Sequence, residues 1–200
     1  MTIARATLLA TVCLLWLSST HAAVESEPLD AMWHQQQLNF FYRAERTFHS
    51  CASLARRVAR ILQALGARGG TLRLRCTSEM PQHMGLEITL ATPVEATAEN
   101  ILEATTFGPT DRLIAQVRGE DLLTANDIER FPATWRRVSL TSAGGLGIGS
   151  GDCELIHGMK DQIFPKLAVR VPDGFRCNHD SAVIRPNVTV EALVPLANSN

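Results

Sequence analysis

Two cysteine pairs with almost the same spacing constrain the fold of this chain more than any other feature. Cys51 and Cys76 are 25 positions apart, Cys153 and Cys177 are 24 apart, and Cys153 follows Cys51 by 102 positions. Around each pair, an apolar stretch with helical periodicity is followed by two stretches with strand alternation. This order predicts a tandem repeat of one strand-helix-strand-strand unit.

The first copy shows the unit clearly. Leu38 to Phe48 is rich in aromatic residues and predicts a strand. Ser50 can cap the helix that follows, and Leu72–Cys76 and Leu86–Leu90 alternate between apolar and polar side chains as half-buried strands do. The apolar helix positions share one face and are Leu54, Val58, Ile61, Leu62 and Leu65.

The second copy contains the same parts. Trp135–Leu140 predicts the opening strand, Asp152 the helix cap, and Leu167–Val171 and Val188–Glu191 the two later strands. Pro165 ends the helix early. The predicted buried positions of this helix are Leu155, Ile156, Met159 and Ile163.

Together the two units predict an α+β fold with helices on one face of a mainly antiparallel sheet, in a ferredoxin-like arrangement. We expect the repeats at 38–92 and 135–197 to form one compact domain. Residues 93–134 read as a connector with a helix at Ala98–Ala104 and a second periodic piece at Leu113–Val117. Residues 23–37 read as a polar N-terminal arm.

The repeat also predicts the disulfides. In a strand-helix-strand unit the helix runs antiparallel to its strands, so the start of the helix lies near the end of the next strand. Cys51 and Cys153 stand at helix starts, and Cys76 and Cys177 stand at strand ends. We therefore expect Cys51–Cys76 and Cys153–Cys177, each stabilising the fold by about 3.5 kcal/mol in the chain-entropy model.

The N-terminus reads as a secretory signal. Arg5 supplies positive charge, Leu8–Leu17 is an apolar run, and Thr20–Ala23 offers small residues for cleavage. The apolar run is shorter than the ~20 residues that span a bilayer, so we expect residues 1–22 to be removed and no membrane span to remain. Disulfides require an oxidising compartment, which places the protein in the periplasm or outside the cell.

Three runs carry a resemblance: Cys51–Ala67, Phe131–Val138 and Gly151–Leu155. They resemble an uncharacterised family of exported proteobacterial proteins with no known activity. The resemblance implies the compartment and the fold for most of the mature chain, and it implies no activity.

Signals for catalysis are weak. The glycine-rich run Gly144–Gly151 matches neither phosphate-binding glycine pattern, and the histidines lack the spacing of helical metal ligands. We therefore expect no cofactor and no metal. The alternative that the sequence leaves open is a small exported hydrolase with its site at this loop, near Asp152, His157 and His179. The sequence favours a non-enzymatic binding or interaction module over that alternative.

Charge is distributed unevenly along the chain. Between Arg43 and Cys76 there are eight arginines and one acid, whereas between Glu79 and Glu129 there are ten acids and two arginines. Pairing of the acidic connector with the arginine-bearing half is one explanation, and solvated surface charge is common. The other is that some arginines share the sheet face without helices and bind a partner protein or an anionic ligand. These arginines are Arg43, Arg73, Arg75 and Arg170.

The formal net charge of −1 gives no reason to expect a nucleic acid as partner. The sequence leaves the oligomeric state and the identity of the partner open.

Overall fold

The structure is a computed structural model that describes residues 27–78, 81–141, 145–172, 175, 177 and 186–196. The predicted signal segment, Gly144 and His179 lie outside the described residues. The fold is α+β, and within the described residues it contains six strands and four helices. In chain order they are β1 (Leu29–Arg43), α1 (Cys51–Ala64), β2 (Arg68–Cys76), β3 (His83–Glu95), α2 (Ala98–Ala104), α3 (Pro109–Arg118), β4 (Arg130–Thr141), α4 (Cys153–Gln162), β5 (Val169–Arg170) and β6 (Asn187–Pro195).

All six strands belong to one antiparallel sheet with the order β2-β3-β1-β4-β6-β5. Each half of the sheet places its third strand between the other two, and the first strands of the halves, β1 and β4, meet at the centre. They pair only over Leu29–Met32 and Arg130–Ala133. The mainly antiparallel sheet is thus confirmed, whereas the tandem repeat as such and the ferredoxin-like arrangement stay predictions.

The hydrophobic core lies between the sheet and helices α1 and α4. Leu38, Phe40 and Tyr42 alternate along β1 into this core, because successive strand residues point to opposite faces. The predicted buried positions of both helices all lie in the same cluster: Leu54, Val58, Ile61, Leu62, Leu65, Leu155, Ile156, Met159 and Ile163. Both predicted disulfides, Cys51–Cys76 and Cys153–Cys177, are present and join each helix start to its half of the fold.

The ends of α1 follow from local sequence. The Ser50 hydroxyl accepts a hydrogen bond from the Ser53 N–H and caps the helix as predicted. Gly66 follows the helix with a φ of 91°, and a Cβ there would lie 2.8 Å from the carbonyl oxygen of Leu193 in the other half. Glycine is required at this position by both the backbone conformation and the close approach.

The predicted bounds of several strands were wrong, most clearly those of β1 and β5. β1 begins at Leu29, so most of the stretch expected to be a polar arm is strand, and it ends at Arg43 rather than at Phe48. β1 pairs with β3 along most of its length and with β4 at its start, so neighbouring strands satisfy the backbone of its polar stretch His34–Gln37. The short β5 contains only Val169–Arg170 of the predicted Leu167–Val171.

The connector forms two helices that contribute little to the core. α2 matches the predicted Ala98–Ala104, and α3 extends the predicted Leu113–Val117 piece in both directions. α2 has no buried residue and α3 has one, Ala115. No described helix combines the length and the apolar character that a membrane-spanning helix requires.

Candidate functional site: the open sheet face

Strand register defines a second face of the sheet, opposite helices α1 and α4. We call it the open sheet face, and it carries the odd-numbered residues of β1, β3, β4 and β6. In the strand register, Arg73 lies opposite Glu87, Arg75 opposite Gly85, and Arg43 opposite His83. Directly paired residues point the same way, so all three arginines lie on the open sheet face.

The fourth predicted arginine lies on the same face but elsewhere. Arg170 is in the edge strand β5, opposite Glu191 of β6, at the edge of the sheet farthest from β2. Its guanidinium lies 3.6 Å from the ring centre of Trp135 and 3.9 Å from a carboxylate oxygen of Glu95. The structure thus brings Arg43, Arg73 and Arg75 into one half of the sheet and leaves Arg170 apart, already engaged.

The three grouped arginines differ in their partners. Arg75 forms an ion pair with Glu87. The side chains of Arg43 and Arg73 are exposed and make no hydrogen bond or ion pair with the described residues. Among the described residues, these two arginines on this half of the face have no carboxylate partner.

Arg73 borders a shallow polar hollow of about 180 Å³ on this face. Its walls offer hydroxyl and amide groups beside the guanidinium, which suits a ligand rich in oxygen atoms. The hollow is lined by Gln37, Thr71, Arg73, Glu87 and Thr89.

Sequence reasoning missed a pair of arginine–tryptophan stacks on the same face. The guanidinium of Arg68 lies 3.8 Å from the ring centre of Trp33, and the guanidinium of Arg170 lies 3.6 Å from the ring centre of Trp135. Phe131 stacks on Trp33 with a centroid distance of 4.6 Å. Both members of the second stack follow those of the first by 102 positions, the same shift that separates the first cysteines, and this signal was readable in the sequence.

At the alternative site, the glycine-rich loop, Asp152 is only 1% exposed. Its carboxylate accepts hydrogen bonds from Arg57 and from the Gly149 N–H, and it lies 3.3 Å from the His49 ring nitrogen Nε2. Asp152 is the N-cap residue of α4, as predicted, but its side chain makes no capping hydrogen bond, because it turns back toward the loop and α1. Burial lowers the pKa of His49, although the Asp152 carboxylate opposes the shift.

His157 of the proposed hydrolase site and the neighbouring Cys153 also have structural partners. Cys153 is in a disulfide with Cys177, and the His157 ring nitrogen Nε2 lies 3.0 Å from the Cys177 carbonyl oxygen. The ring of His157 meets the Phe175 ring edge-on. These contacts explain the residues as parts of the fold and require no reaction.

A further polar junction, also missed, joins the two halves near this loop. The Glu154 carboxylate accepts hydrogen bonds from the backbone N–H groups of Glu45, Arg46 and Thr47, at 3.3, 2.8 and 3.3 Å. Burial and the Glu154 carboxylate raise the pKa of Tyr42, whose protonated hydroxyl donates to the Thr47 carbonyl oxygen at 2.8 Å. Glu154 therefore holds the loop between β1 and α1 against the start of α4.

Within the part of the chain that the structure describes, no three His, Cys, Asp or Glu side chains come together as a metal site would require. The fold and surface define a class: a two-disulfide α+β protein with an arginine-bearing open sheet face. No protein-family model, curated protein or solved structure was found to match the chain, so the functional argument rests on its own residues.

Proposed function

We propose that the protein is an exported, non-enzymatic binding module that holds a carboxylate-bearing partner protein on the open sheet face, in the periplasm or outside the cell. The observation that carries the proposal is the exposed guanidinium group of Arg73 beside the polar hollow, with the exposed Arg43 on the same half of the face. Neither side chain makes a hydrogen bond or an ion pair with the described residues. The internal Arg75–Glu87 pair shows the chemistry that an external carboxylate would repeat at these two sites.

The compartment is supported by the two disulfides, which persist in oxidising surroundings. The predicted signal segment agrees with this compartment, and it lies outside the described residues. The shallow hollow supports a broad partner surface rather than an enclosed small molecule, because small-molecule sites are usually deeper and larger, about 300–1,000 Å³. The small exported hydrolase remains the second candidate.

The test is titration of the purified protein with a synthetic oligoglutamate peptide, followed by calorimetry at low salt. In the double variant Arg43→Glu and Arg73→Glu we expect the affinity to fall by at least tenfold, about 1.4 kcal/mol. The matched control is Arg56→Glu with Arg136→Glu, which changes net charge equally at exposed sites away from the open sheet face.

Equal affinities for the two double variants would show that only net charge is sensed and would refute the proposed site. Parallel titration with pyrophosphate separates a partner surface from a small-anion site. Tighter binding of pyrophosphate than of the peptide would replace the protein partner with a small anionic ligand.

A further inference from the structure

Exposed large aliphatic side chains concentrate in the connector. Six of them fall between positions 102 and 123, in a segment that buries little of its own surface. Where exposed apolar side chains adjoin one another, the surface is typical of interaction sites in folded proteins. These residues are Leu102, Leu113, Ile114, Val117, Leu122 and Leu123.

Helix α3 presents three of them together. Successive residues of an α-helix are about 100° apart, so Leu113, Ile114 and Val117 fall within one arc of about 100°. They are 60%, 43% and 80% exposed. We call this row the α3 stripe.

Beside the stripe lies a groove of about 250 Å³, which we call the α3 groove. Its apolar lining comes from Phe107, Ile114, Ala115, Leu122 and Leu123, so Ile114 belongs to both the groove and the stripe. Its polar lining is entirely acidic and consists of Asp111, Glu120 and Asp121.

The negative charge of these residues restricts which kind of partner can bind in the α3 groove. Asp111 accepts a hydrogen bond from the Gly108 N–H, and Glu120 lies 4.0 Å from Arg118, whereas Asp121 makes no ion pair or hydrogen bond with the described residues. Seven acids and two arginines lie between positions 96 and 129. Two copies meeting through this surface would bring like charges together, and an anionic lipid surface would repel it. A cationic partner matches it.

We propose that the α3 groove and the α3 stripe dock a cationic amphipathic helix of a partner protein. Its apolar side chains, spaced at i, i+3, i+4 and i+7, lie along the stripe and enter the groove. Its lysines or arginines meet Glu120 and Asp121. The docking surface involves no residue of the open sheet face, so the two proposals stand or fall separately.

The test uses the purified protein and a fluorescent synthetic helical peptide with leucines on one face and lysines on the other, read by anisotropy. In the double variant Leu113→Asp and Val117→Asp, we expect the dissociation constant to rise at least tenfold. Both side chains are exposed, so the fold should persist, which circular dichroism checks. Phe48→Asp is the control, because it makes the same kind of change at an exposed site outside the connector.

A second variant pair tests the charge. Glu120→Lys with Asp121→Lys should also weaken peptide binding at least tenfold, and added salt should weaken binding to the unaltered protein. Glu45→Lys with Asp161→Lys changes net charge equally at exposed sites and should leave the dissociation constant nearly unchanged.

Three outcomes would overturn the proposal. The first is equal affinity for a peptide in which glutamates replace the lysines. The second is a dimer, seen by sedimentation, that Leu113→Asp and Val117→Asp dissociate, since a second copy would then be the occupant. The third is binding to phosphatidylglycerol vesicles that the same variant abolishes, since a lipid surface would then be the occupant.

Discussion

The two halves of the sheet share their strand order and differ in the arginines that they place on the open sheet face. In each, a helix packs on three antiparallel strands, a disulfide ties the helix start to the rest of the half, and an arginine stacks on a tryptophan. Arg43 and Arg73 have no counterpart, because the residues 102 positions later are Gly145 and Phe175. The disulfides and the arginine–tryptophan stacks thus recur in both halves, whereas Arg43 and Arg73 are particular to the first.

The starts of the two core helices show a second difference. Ser50 caps α1 with one hydrogen bond, whereas Asp152, 102 positions later, is buried against Arg57 and His49. The second position thus supports an interaction between the halves, while the first supports only its own helix.

The largest effects should come from the disulfides, and they should be similar in the two halves. Replacing Cys51 and Cys76 by alanine, or Cys153 and Cys177 by alanine, should lower the free energy of unfolding by about 3.5 kcal/mol in each case. Urea denaturation of the two variants measures the losses. A loss confined to one pair would break the equivalence of the halves.

The two helix starts should differ in their sensitivity to truncation. Asp152→Ala leaves Arg57 without its carboxylate and should cost about 3 kcal/mol, at the low end for a buried pair because Arg57 is partly exposed. Ser50→Ala loses one cap and should cost about 1 kcal/mol. Urea midpoints of the two variants compare them, and equal losses would contradict the structural contrast.

The arginine–tryptophan stacks should contribute equally and modestly. Arg68→Ala and Arg170→Ala should each lower stability by about 0.5–1 kcal/mol, the range for exposed cation–π pairs. Arg112→Ala on α3 serves as a control for loss of an exposed arginine. A loss of stability in only one of the two variants would contradict the expectation that the two stacks contribute equally.

The smallest effect should be a pH dependence that only the first half supplies, because Gly151 stands 102 positions after His49. Burial lowers the pKa of His49 below 6.5. As the pH falls below 6.5, the His49 imidazole therefore binds a proton more readily in the unfolded chain than in the folded chain. This contribution to stability is complete above pH 6.5 and declines as the pH falls below it. Urea midpoints between pH 7.5 and pH 5 should therefore fall less steeply for His49→Gln than for the unaltered protein.

His83→Gln removes an imidazole at an exposed site and serves as the matched control for that series. A pH profile that His49→Gln leaves unaltered would assign the acid sensitivity to other groups.

Local pattern predicted much of the secondary structure and the covalent structure. The helical offsets of Leu54, Val58 and Ile61 correctly identified the buried face of α1, and the capping role of Ser50 followed from its position. The disulfide pairing followed from placing Cys51 at the start of a helix and Cys76 at the end of the next strand, two points that lie close together in space. These features depend on interactions within short stretches of chain, where spacing alone carries the information.

The candidate surface was predicted only in part. The alternation of Leu72, Arg73 and Leu74 indicated that the arginine faces away from the core, and the register agrees. The separation of Arg170 from the other three arginines depends on the order of the strands in the sheet. The alternation of apolar and polar residues along a strand does not predict that order. The polar start of β1 was missed for a related reason, since its strand conformation comes from pairing with β3 and β4.

By itself, the sequence determined most of the helices and strands, which of their faces are apolar and which cysteines pair. These properties arise from periodicity and from chain geometry over about 25 residues. Only the tertiary structure decided that β1 and β4 meet at the centre of the sheet and that Asp152 is buried against His49 and Arg57. It also decided that Arg43 and Arg73 have no ion-pair partner among the described residues. Those outcomes depend on which distant residues become neighbours, and that depends on how both halves bury their apolar faces in one shared core.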